Sequence, residues 1–72
     1  ALNDFVLEVE SVLNQVVVKT TTAAAQVVAE AIDNLFLDNV IASIAGDNVV
    51  LIISNSEDKA KLISKNIEEV LG

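Results

Sequence analysis

Val49-Val-Leu-Ile-Ile53 runs for five residues without a polar side chain, and Val16-Val-Val18 does the same for three. Successive side chains of an extended chain point to opposite faces of a sheet. Both segments are therefore apolar on both of their faces. Their β-branched content favours strands over helices. A sheet built on such strands needs cover on both sides, and this demand constrains what the chain can become.

The remaining elements follow from periodicity. Residues 5–12 read as a strand, with Phe5, Leu7 and Val9 on one face and Glu8 and Glu10 on the other. Leu13 and Asn14 form a turn, and residues 16–20 return as the second arm of a hairpin. Thr20, Thr21 and Thr22 are placed to cap a helix over residues 23–36. Ala24, Val28, Ala31 and Leu35 stack along that helix, with Val27 and Ile32 beside them, while Gln26, Glu30 and Asp33 line the opposite side. Residues 40–45 form a third strand. Gly46, Asp47 and Asn48, which tolerate positive φ, turn it into a fourth over residues 49–53. Ser54, Asn55 and Ser56 supply caps for a last helix over residues 57–71, with Ala60, Ile63, Ile67, Val70 and Leu71 as its apolar stripe.

The order β-β-α-β-β-α predicts an α+β fold. It is a two-layer sandwich, a four-stranded antiparallel sheet with both helices on one face, and residues 1–72 form one domain. Two helices cover one side of the sheet. The other side stays apolar, and each Val or Ile left in water forgoes roughly 1.5–3 kcal/mol. A second copy of the chain is the simplest cover, against the alternative of an unusually aliphatic monomer. Size agrees: 72 residues bury too little surface to be robust without a disulfide, a metal or a partner. The chain has no Cys and no His. That excludes disulfides and nitrogen or sulfur metal sites, and it permits a cytoplasmic home. The net charge of −7, from eleven acids against four basic residues, repels nucleic-acid phosphates. No apolar run is long enough to span a bilayer, so no membrane partner is expected. The first residue is Ala1 rather than Met, as expected for part of a longer protein.

Two blocks carry a family resemblance. Residues 19–33, Lys-Thr-Thr-Thr-Ala-Ala-Ala-Gln-Val-Val-Ala-Glu-Ala-Ile-Asp, resemble the arginine repressor stretch Thr-x-Pro-Gly-Ala-Ala-Gln followed by a helix bearing an Asp seven residues on. Residues 43–48, Ser-Ile-Ala-Gly-Asp-Asn, resemble that family's Thr-Ile-Ala-Gly-Asp-Asp hairpin. The order and spacing fit over nearly the whole chain. The resemblance implies the C-terminal oligomerisation and effector-binding domain of a transcriptional regulator of arginine metabolism. Its partners would be copies of itself, as a trimer and a dimer of trimers, with L-arginine held between the trimers. Operator DNA would be bound only through a winged helix-turn-helix domain absent from this chain.

The resemblance also implies a ligand site of Gln26, Asp33, Asp47, Asn48, Ala25 and Ala45. Read physically, Gln26 and Asp33 share a helix face about 10 Å apart, a span suited to an extended amino acid. The positive end of the helix suits a carboxylate. Asp47, at a hairpin tip, either bonds its own turn or meets a guanidinium from a facing trimer, a charge-assisted pair that neutral citrulline cannot make. The chain departs from the pattern twice. Asn48 replaces the second acid, and Thr22 and Ala23 replace Pro-Gly. A second reading is therefore open: a constitutive oligomerisation module of a paralogous regulator with weakened or lost arginine binding. An enzyme is not expected, because no convincing acid–base pair exists without His, Cys or Tyr. No cofactor is expected, only L-arginine as effector.

Overall fold

The computed structural model describes residues 2–72. A short 3-10 turn, Leu2–Asp4, precedes strands β1 (Val6–Val12) and β2 (Gln15–Thr20), helix α1 (Ala25–Asp33), strands β3 (Val40–Ala45) and β4 (Val49–Ser54), and helix α2 (Glu57–Leu71). The four strands form one antiparallel sheet in the order β1-β2-β4-β3. The two runs that opened the sequence reading are thus the two central strands, paired directly from Gln15–Ile53 to Lys19–Val49.

Both helices lie on one face, as the pattern predicts. Val16, Val18, Val50 and Ile52 point into the same core as Ala25, Val28, Ala29 and Ile32 of α1 and Ala60, Ile63 and Ile67 of α2. The alternate residues Val17, Leu51 and Ile53 point the other way and are only half-buried. Row by row, Glu10, Val17, Leu51 and Ile44 cross that outer face, with Val12, Gln15, Ile53 and Ala42 beside them.

Several local expectations change. The register of β1 shifts between Val6 and Glu8, and the extra residue reverses the alternation. Val6 and Val9 therefore pack on the core, while Phe5 and Leu7 are exposed; the three do not share a face with Phe5 and Leu7 inward. α1 is shorter than the expected 23–36 and turned on its axis. Its buried stripe is Ala25, Val28, Ala29 and Ile32, the i, i+3, i+4, i+7 set counted from its true start. Ala24 is also buried, Val27 is exposed, and Ala31 and Leu35 are half-buried. In α2, Ser64 joins the stripe and Val70 is half exposed.

The threonines do not cap α1. Its N-cap is Ala24, without a side-chain bond, and the buried Thr20 hydroxyl donates to the Thr21 carbonyl at 2.9 Å. Ala23, just before the helix cap, has φ 64°, Phe36, in the turn after the helix, has φ 51°, and Leu13 and Asn39 are also left-handed. Gly46, Asp47 and Asn48, by contrast, turn without positive φ. At α2 the cap is as expected: the Lys59 amide donates to Ser56 Oγ at 3.2 Å. Ser54 has a different task. Its amide and hydroxyl both donate to the Asn14 carbonyl, at 2.9 and 2.8 Å, and its carbonyl accepts from Asn14 Nδ2 at 3.2 Å. These bonds tie the β1–β2 turn to the end of β4.

Candidate functional site

α1 packs beside β3 and the β3–β4 hairpin, and this seam builds the site. Its first turn meets the β3–β4 hairpin tip, where the Ala25 amide donates to the Asp47 carbonyl at 3.3 Å. The neighbouring Asn48 carbonyl accepts from the Thr20 amide at 2.8 Å. The tip is therefore held by two backbone bonds to the chain entering α1, which leaves the Asp47 and Asn48 side chains exposed. At the other end of the helix, Ser43 Oγ on β3 donates to Asp33 Oδ1 at 3.1 Å.

Of the six residues singled out in the sequence, Ala25 and Asp47 meet at the start of α1, Asp33 meets β3 through Ser43 at its end, and the structure gives Gln26 no bond to the others. Gln26, Asp47 and Asn48 are exposed near the start of α1, and Asp33 is exposed at its end. Gln26, Glu30 and Asp33 share the solvent side of α1, as their spacing requires. Ala25 is fully buried and Ala45 half-buried against the core. Ala25 contributes placement through its engaged amide rather than a side chain that a ligand could touch. Ser43 was absent from the site proposed on sequence. Its signal was a lone polar residue inside an otherwise apolar strand.

Two electrostatic features stand out. Asp33 is an acid in the last turn of α1, where no basic residue accompanies it. The helix dipole disfavours a carboxylate there by about 0.3–1 kcal/mol, and the Ser43 hydroxyl offsets part of that cost. Helix stability therefore does not explain an Asp at this position. The first turn of α1, conversely, holds no acid and no side-chain cap; its Ala25 amide is taken by the Asp47 carbonyl, and the helix dipole there favours negative charge. Between residues 20 and 56 the chain carries Glu30, Asp33, Asp38 and Asp47 and not one Lys or Arg. Exposed carboxylates therefore stand at both ends of α1, Asp47 on the hairpin tip at its start and Asp33 beside Ser43 at its end, which suits a ligand with cationic groups.

Beside Asp33, a shallow hollow is lined by Ile32, Phe36, Leu37 and Val40. Among the described residues no cluster of three or more His, Cys, Asp or Glu side chains could hold a metal. No helix there is long and apolar enough to cross a membrane.

Residues 2–69 match the family model described as arginine repressor, C-terminal domain. The arginine repressor of Clostridium acetobutylicum is 47% identical over 66 residues, 92% of this chain and 44% of that protein. That of Clostridium novyi is 41% identical over the same shares. That of Acidobacterium capsulatum is 37% identical over 71 residues, 99% of the chain and 48% of that protein. The chain thus spans less than half the length of these relatives. Each of these relatives is named an arginine repressor.

Proposed function

Since the chain belongs to the family of arginine repressor C-terminal domains, we propose that it is the oligomerisation and L-arginine-sensing domain of a cytoplasmic transcriptional regulator of arginine metabolism. Residues 1–72 form that domain, and operator DNA is bound by a separate N-terminal domain outside this chain. Copies assemble through the outer sheet face into trimers. Two trimers close on L-arginine, which acts as effector; no cofactor takes part.

The observation that carries the ligand reading is the seam itself. A helix start without a side-chain cap and the Gln26 amide belong to one end, a Ser43-anchored carboxylate to the other, and Asp47 stands on a hairpin tip fixed to the same helix. The ligand's carboxylate belongs at the start of α1, where peptide dipoles favour negative charge. Its cationic groups belong with Asp33 and with Asp47 of a facing trimer, where a guanidinium can pair with two oxygens. Ligand bound only between trimers raises the hexamer population by mass action, and six tethered DNA-binding domains gain avidity without new contacts.

Native mass and calorimetry test this together. L-Arginine is expected to shift trimer to hexamer with measurable heat. Citrulline should do neither, and Asp47→Ala should abolish both effects. No shift and no heat at millimolar arginine would reject the sensing role.

Asn48 favours one second reading, a constitutive module with a weakened site. An amide where a second carboxylate would sit removes a negative charge from a cation's surroundings. If Asn48→Asp creates arginine binding where the native chain has none, the module reading stands.

A further inference from the structure

The far end of α1 combines three features that its start lacks. The first is charge. Asp33 closes the helix at the end where the peptide dipoles are negative, and Asp38 follows in the turn before β3. Between Lys19 and Lys59 the chain has no basic residue, and neither carboxylate forms an ion pair with a described residue. Ser43 Oγ donates to Asp33 Oδ1, which fixes the carboxylate and leaves Oδ2 able to accept. The second feature is shape. A hollow of about 80 Å3 beside Asp33 is lined by Ile32, Leu37, Val40 and Phe36. One water needs about 10–15 Å3 of such space, so a short methylene chain fits. The third is Phe36 itself. It is 85% exposed and holds φ at 51°, a conformation that bulky side chains avoid. Neither helix stability nor core packing accounts for an aromatic ring there.

We infer that this end of α1 is a second ligand site, and that its ligand is a short aliphatic diamine without a carboxylate. Each part of the ligand answers one feature. One ammonium pairs with the Asp33 carboxylate, a charge-assisted bond. The methylenes cover the apolar surface of Ile32, Leu37 and Val40. The ring of Phe36 offers its negative face to an ammonium, and Asp38 adds to the field that holds the second one. The same field rejects a carboxylate. An amino acid carries one beside its ammonium and so brings a negative charge to a negative helix end and two acids. A diamine of the same length does not. The inference is therefore separate from the arginine reading, in which the ligand's carboxylate lies at the opposite end of the helix. Asp33 is common to the two, whereas Phe36 and the hollow belong to this site.

Calorimetry with 1,4-diaminobutane, at low salt where surface charge is least screened, reads the site without arginine present. Saturable binding to the full chain is expected. The control 4-aminobutanoate, which carries a carboxylate in place of one ammonium, should bind far more weakly. Phe36→Gly suits the left-handed turn and removes the ring. It is expected to weaken diamine binding about two- to fivefold, the range of an exposed cation–aromatic contact, while Phe36→Trp preserves it. Asp33→Asn should weaken binding by more than Asp58→Asn, which removes the same charge from the first turn of α2. Equal losses from those two variants mean diffuse attraction to an acidic surface and overturn the site. So do unchanged affinity in Phe36→Gly, equal binding of 4-aminobutanoate, or no saturable heat at millimolar diamine. Failure of arginine sensing leaves each of these outcomes readable.

Discussion

Ala23 holds φ at 64° at the position where the resembled motif has glycine. A left-handed alanine costs about 1–2 kcal/mol that glycine avoids, less the extra entropy glycine loses on folding. Ala23→Gly is therefore expected to stabilise the chain by about 1 kcal/mol in urea denaturation; lower stability would mean the loop is not held in this conformation. Ser43 tests the seam. Its hydroxyl fixes one oxygen of an exposed carboxylate, a small contribution to stability and, on the proposed sensing role, a direct one to how the ligand is held. Ser43→Ala should weaken arginine binding by about tenfold, the equivalent of one ordinary hydrogen bond. Ser43→Thr, which keeps the hydroxyl, should preserve binding. Calorimetry on both variants separates the outcomes. Gln26, Asp33 and Asp47 could be singled out in the sequence because spacing on a helix and at a hairpin tip is local information; their part in holding a ligand is the proposal made above. The Ser43–Asp33 bond was not legible, since it joins residues ten apart through the docking of α1 on β3.

At the scale of elements, existence and order were readable, and ends were not. α2 matched its expected bounds because an N-cap serine, acids in the first turn and a terminal glycine all mark the same limits. The Ser56 cap is worth about 1 kcal/mol, and Ser56→Ala should lower stability by that amount in thermal unfolding; no change would show the cap bond to be incidental. α1 lacked such marks. Three consecutive threonines suggested a cap, yet the helix start is fixed from elsewhere, by the Asp47 carbonyl across the fold. The inward and outward sides of β1 were misread for a related reason. A bulge between Val6 and Glu8 follows from how the strand pairs with β2, and alternation within a single segment carries no trace of it.

For the molecule as a whole, the demand for cover came from sequence alone. Valines and isoleucines on both faces of the central strands call for two apolar layers, and the fold supplies one. Inside, the central strands meet both helices in one shared core. Ile52 has no exposed surface and touches the shared core, and Ile52→Ala should cost about 2–5 kcal/mol, enough to unfold so small a domain. Outside, Leu51, Ile53 and Ile44 keep contact with water in the single chain. Sedimentation velocity over a wide dilution series tests most directly whether copies supply the missing layer. A folded species of three subunits or a multiple of three is expected, dissociating only on strong dilution. A folded particle of 7.6 kDa at every concentration would contradict it.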